Sequence, residues 1–214
     1  MKRHDDALVA AVKADLAKLE AEKASRQAPD PFVEELADDD RDAVADIAAL
    51  LEPTAPPASL RERLFASTAR SRLARLAAPV AKLLDVDETR AEELLEAIDD
   101  PASWSPNPLP GVTLYHFKGG DKVADCITGF TRIEREGAFP PHEHLGTEYV
   151  FVVQGRVRDA VSGDVYGPGD LSIMEPATSH HLEVLPGPEL IYLVVIFEGI
   201  SVMGIELRPG DPRI

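Results

Sequence analysis

The sequence predicts an α+β chain in which an N-terminal helical domain precedes an all-β sandwich or barrel. Composition changes near residue 100: no glycine precedes Gly111, and Gly is frequent beyond it. Before the break, apolar residues recur at steps of three and four, the period of a helix face. After it, short β-branched and aromatic runs alternate with turn residues at close spacing, which favours antiparallel sheets. The expected domains are residues 1–100, with a Pro-rich tether near 52–59, and residues 101–214.

The first helix is expected after Asp5 or Asp6, with Leu8, Val12, Leu16 and Leu19 on one side. Ala28-Pro-Asp-Pro31 breaks it. A second follows from Asp40 to Leu51, and Glu52 to Ser59 reads as a linker. Ser59 caps a third helix, which carries Arg61, Arg63, Arg70, Arg72 and Arg75. An apolar stripe of Leu73, Leu76, Val80, Leu83 and Leu84 continues it, with Pro79 as a kink or first-turn residue. Asp87 opens a last helix through Glu96, with Ala91, Leu94, Leu95 and Ile98 facing a core. Asp87, Glu88, Glu92, Glu93 and Glu96 on that helix would repel phosphate, so a DNA-reading helix pair is set aside. Trp104, the only tryptophan, sits at the junction and suits packing between helices and sheets.

Strands are expected at 112–117, 126–133, 148–153, 156–160, 165–166, 170–174, 181–184, 190–197 and 200–207. Within them lies the stretch Gly137 to Gly155, Gly-Ala-Phe-Pro-Pro-His-Glu-His-Leu-Gly-Thr-Glu-Tyr-Val-Phe-Val-Val-Gln-Gly. On an extended chain His142 and His144 share a face. Glu148 has the same parity, and Gly146 permits a bend before it. Two imidazoles and a carboxylate on one face begin a first-row transition-metal site. A further ligand is expected from the pair His180 and His181 on a later strand. Glu143 points away by parity, Tyr149, Glu175 and His180 lie near in sequence, and His180 reads as a group behind the ligands or a surface residue. No catalytic residue is assigned, and no Gly-x-Ser-x-Gly elbow is present.

These two segments resemble the paired motifs of the cupin superfamily. Gly137, His142, His144, Glu148 and Gly155 match the first motif, with one residue fewer between Gly137 and His142. Gly169, Pro176 and His181 match the second, with one extra residue before Pro176 and Thr178 where Gly is usual. Counting on from Pro176 selects His181 over His180. The resemblance implies a double-stranded β-helix, or jelly-roll barrel, with a metal held by His142, His144, Glu148 and His181. A helical half joined to such a barrel, with Glu52 to Arg63 as tether, is similar to the ChrR type of anti-sigma factor. That type implies zinc in the barrel and a sigma factor as partner. Its N-terminal His-x-x-x-Cys-x-x-Cys zinc signature is absent, since the only histidine in the first hundred residues is His4 and the only cysteine is Cys126.

The net charge of −16 disfavours direct binding to nucleic acid and leaves a basic protein as the complementary partner. A lone cysteine excludes an intrachain disulfide and suits a cytoplasmic setting. Cys126 falls in a strand-like run, where a buried inert thiol is the expectation. The chain shows neither signal peptide nor membrane-length apolar run, so no membrane partner is expected. Association of two barrels as a homodimer is a further expectation. Two functions stand side by side. One is a metal-binding regulator whose barrel senses a signal and whose helices hold a partner. The other is a metal-dependent cupin enzyme, dioxygenase-like, acting on a small organic molecule. The ligand set suits Zn, Fe(II), Mn or Ni.

Overall fold

A computed structural model of the chain describes residues 73–213 together with isolated earlier positions, namely Ala14, Ala17, Lys18, Ala21, Asp46, Ile47, Ala49, Leu50, Pro57, Ser59 and Leu60. The chain divides into two compact units, residues 17–70 and residues 1–16 with 71–214. The three helices expected before residue 73 and most of the tether lie outside the described residues. Among the described residues no helix is long and apolar enough to cross a membrane.

Two helices open the well-described part: α1 (Ala77–Leu84) and α2 (Glu88–Glu96). Pro79 falls in the first turn of α1, where its missing N–H leaves no bond unmade. Asp85 ends α1 in the left-handed conformation. The Asp87 side chain caps α2 by accepting the Arg90 N–H at 2.8 Å, as its place before the acidic run suggests.

Twelve strands follow: β1 (Ser105–Pro106), β2 (Val112–His116), β3 (Ile127–Ile133), β4 (Ala138–His144), β5 (Glu148–Gln154) and β6 (Val157–Asp159); then β7 (Val165–Tyr166), β8 (Leu171–Met174), β9 (Ser179–Val184), β10 (Leu190–Ile196), β11 (Ile200–Val202) and β12 (Ile205–Leu207). They form two six-stranded sheets, in the orders β1-β2-β3-β10-β5-β8 and β12-β11-β4-β9-β6-β7. All pairings are antiparallel.

The first sheet is buried on both faces. Alternation along β10 sends Leu190, Tyr192, Val194 and Ile196 toward the second sheet and Ile191, Leu193 and Val195 into a core shared with α1 and α2. Alternation along β5 does the same with Val150 and Val152 against Tyr149, Phe151 and Val153. That is why both strands read as continuous apolar runs. The break in composition near residue 100 is therefore not a break in packing: Leu83, Leu84, Leu94, Leu95 and Ile98 share a core with Phe130 and Phe151. Trp104 stands at this seam. Its indole N–H donates to the Ile98 carbonyl at 3.0 Å, and the Arg132 guanidinium lies 4.0 Å over its ring. Arg132 also donates to the Ile98 carbonyl, so the end of the helical segment is satisfied from the sheet. Cys126 is half-buried just before β3, against the same core.

Candidate metal centre

The turn between β4 and β5 brings the motif together. His142 and His144 lie on β4 and point into the barrel, while Glu143 between them is exposed. The chain then bends through Leu145-Gly146-Thr147 and enters β5 at Glu148. A Cβ on Gly146 would stand 2.1 Å from the Phe197 carbonyl oxygen, so the bend needs glycine for close approach. β4 pairs with β9 in a register that sets His142 opposite His180.

The fourth residue in this cluster is His180, not His181. β9 begins at Ser179, two residues earlier than the expected strand, and its alternation buries His180, Leu182 and Val184 together. His181 points outward, its ring 3.9 Å from the Glu183 carboxylate at the surface. The extra residue before Pro176 and the Thr at 178 make a motif count land one residue too far.

His142, His144, Glu148 and His180 are all buried, with one ligand atom from each lying within 4.8 Å of the others. Each imidazole is oriented from behind. His142 Nδ1 lies 3.0 Å from the Pro140 carbonyl oxygen. His180 Nδ1 lies 2.8 Å from an Asp159 carboxylate oxygen. His144 Nδ1 lies 3.0 Å from the Thr178 hydroxyl, whose own proton goes to the Glu175 carbonyl at 2.6 Å. A carbonyl, a carboxylate and an already donating hydroxyl can only accept. Each Nδ1 therefore carries a proton, and a ring that is neutral turns its Nε2 lone pair inward.

The inward atoms then lack donors. His142 Nε2 and His180 Nε2 stand 3.1 Å apart. His144 Nε2 and Glu148 Oε2 are 2.9 Å apart, yet each is buried without a hydrogen-bond partner. Four buried acceptors facing one point cost free energy unless a cation sits among them. The donor set, three nitrogens and one carboxylate oxygen, fits a divalent first-row metal.

Two supporting residues escaped the sequence reading. Asp159 is buried at the end of β6; one carboxylate oxygen faces His180 and the other accepts the backbone N–H groups of Val161 and Ser162. Burial raises the Asp159 pKa, and these hydrogen bonds, His180 first, bring it below the ordinary value. A signal was present: Asp159 shares parity with the buried Val157, and a carboxylate on a buried face needs a partner. Thr178 left no such signal.

Residues 96–197, which contain the whole cluster, match the family model of the ChrR cupin-like domain. The barrel has the cupin fold.

Its likenesses among solved structures include the anti-sigma ChrR in complex with SigE from Rhodobacter sphaeroides (21% identity, 72% of this chain and 75% of that one, TM-score 0.44). An RmlC-like cupin protein from Ralstonia eutropha is 23% identical over 52% of this chain and 70% of its own, with a TM-score of 0.42. An acetylacetone dioxygenase from Acinetobacter johnsonii is 14% identical over 52% and 83%, with a TM-score of 0.44. No curated protein matches the chain.

The cupin encloses a cavity of about 360 Å³ beside the cluster. His142, Glu148 and His180 face it from one end. Val194, Ile196, Leu182 and Ile200 make much of its wall. Tyr192, from β10, also lines it; burial, then the Glu148 charge, push its pKa well up, and a hydrogen bond with the Thr131 side chain works against them. The phenol therefore stays protonated.

Proposed function

We propose that this protein is a metal-binding cupin regulator of the anti-sigma-factor type. Its barrel holds one divalent ion, zinc by family resemblance, through His142, His144, Glu148 and His180. Its N-terminal helices hold a protein partner, a sigma factor or another basic protein. The observation that carries the metal half is the convergence of three Nε2 lone pairs and the unpartnered Glu148 oxygen on one buried point. An ion bound there would supply a Lewis-acid centre facing the cavity.

The partner half is supported by the match to the ChrR cupin-like model, by the net charge of −16, and by apolar side chains left open on the helical unit. Ile47 and Leu50 are 61% and 85% exposed. Such residues offer apolar contact, while acidic helices steer a basic partner. The test is elemental analysis of the full-length protein, followed by titration against the sigma factors of its source organism at low and high salt. One zinc per chain and a partner whose affinity falls as salt rises are expected. Absence of any metal removes the first half of the reading. Absence of any sigma-factor binding at either salt removes the second.

A second reading is favoured by one observation, the cavity that opens onto the cluster. A metal-dependent cupin enzyme, dioxygenase-like, needs such room beside its ion. Iron in the purified protein and turnover of a small organic molecule would place the chain there.

A further inference from the structure

Resting on the metal reading above, we infer that the cavity takes a small lipophilic molecule with one acceptor oxygen, held by Tyr192. The size follows from the volume of about 360 Å³, near the lower end of small-molecule pockets.

The polarity follows from the wall. Val150, Leu182, Val194, Ile196, Ile200 and Val202 line it and are aliphatic. Its one arginine, Arg213, is already held by the Asp211 carboxylate and the Glu206 carbonyl. Besides the ion itself the wall offers no other fixed positive charge, and too few donors face inward to satisfy the hydroxyls of a sugar. Of the exposed residues at the rim, Met203 (77% exposed) and Ile205 (52%) are apolar, while His116 and Arg213 are polar.

The oxygen follows from one polar pair. Tyr192 and Thr131 are directly opposed on β10 and β3, buried, and both line the cavity. Two hydroxyls bring two protons, and a bond between them would use only one. The other is available to a ligand acceptor. Tyr192 comes from the first sheet and His142 and His180 from the second, so an oxygen between the sheets meets a donor on one side and the metal cluster on the other.

The test is calorimetric titration of the full-length, metal-loaded protein with four probes of similar size. Benzylacetone carries a carbonyl, hydrocinnamic acid a carboxylate, propylbenzene no oxygen, and glucose is polar throughout. At least one of the first two should bind about tenfold more tightly than propylbenzene, and glucose should give no heat. Which of the two binds tells carbonyl from carboxylate. Tyr192→Phe should erase the preference for oxygen while the metal content stays unchanged. Val194→Trp, which fills the cavity, should abolish binding of all probes, with a thermal melt as the check on folding. The inference is overturned if neither oxygenated probe outbinds propylbenzene, if glucose binds as well, or if Tyr192→Phe keeps the preference. Elemental analysis of the same samples separates this failure from that of the metal reading.

Discussion

His180 and His181 are sequence neighbours that β9 turns to opposite sides, one into the metal cluster and one to the surface. Single alanine substitutions separate them. His180→Ala should cost the protein its metal, and His181→Ala should leave the metal content unchanged, as read by elemental analysis after gel filtration. Asp159→Asn keeps the size but weakens the acceptor that orients His180. It should lower metal affinity by about 10–100-fold in a chelator competition. Wild-type affinity in that variant would show that the Asp159 contact with His180 is incidental. The residues on β4 and the following turn were legible because parity and a short link fix them: His142, His144 and Glu148 stand where an extended chain with a glycine bend puts them. The choice between two adjacent histidines was not legible from motif counting, since an insertion shifts the count. It was legible from parity with Leu182 and Val184, the apolar residues two and four positions beyond His180.

Gly146 joins the two strands that carry the motif, and its approach to the Phe197 carbonyl leaves no room for a side chain. Gly146→Ala should destabilise by about 1–3 kcal/mol in chemical denaturation and weaken metal binding, because Glu148 follows two residues later. Unchanged stability and affinity would mean that the turn relaxes freely. A second joint ties the end of α1 to the turn before β3. Asp85 accepts from the Lys122 backbone N–H at 3.1 Å and pairs with the Lys122 ammonium. The Lys122 side chain, then its backbone N–H, hold the Asp85 carboxyl below its ordinary value of 3.8. A lowered carboxyl pKa stabilises the fold above the unfolded value, and that contribution fades as pH falls through the folded one. Solvent screening keeps the effect below about 1 kcal/mol. Asp85→Asn tolerates the same left-handed backbone. Its urea midpoint should fall below wild type at neutral pH, and the gap should close as the pH falls well below 3.8. Among the strands the sequence hid three, the two-residue β1 (Ser105–Pro106) being one. Pro140-Pro141 and a polar composition masked β4 as a strand. The Met203-Gly204 turn, with φ of 53° and 81°, splits 200–207 into a hairpin, and Met-Gly lacks the usual Asn-Gly signal.

At the scale of the molecule, the open quantity is where the cupin ends as a folding unit. The composition break points to residue 101, while the shared core reaches back to Leu73. Leu76, Leu83, Leu84, Leu94, Leu95 and Ile98 are all nearly inaccessible, and they cover Tyr149, Phe151, Ile191 and Leu193 on the outer face of the first sheet. A chain that starts at residue 101 would expose that face as one apolar patch on a sheet, which invites aggregation. The sequence could not reveal this, because α1 and α2 have the same Ala-, Leu- and Glu-rich composition as the residues before them. Two truncations decide it. Residues 71–214 should be soluble, bind one metal per chain, and lose thermal stability when a chelator removes it, since an ion bound only to the folded state stabilises by mass action. Residues 101–214 should aggregate or bind the hydrophobic dye ANS. If the shorter piece is instead soluble, monomeric and as stable as the longer one, the two helices are an accessory to the barrel, and the boundary lies where composition puts it.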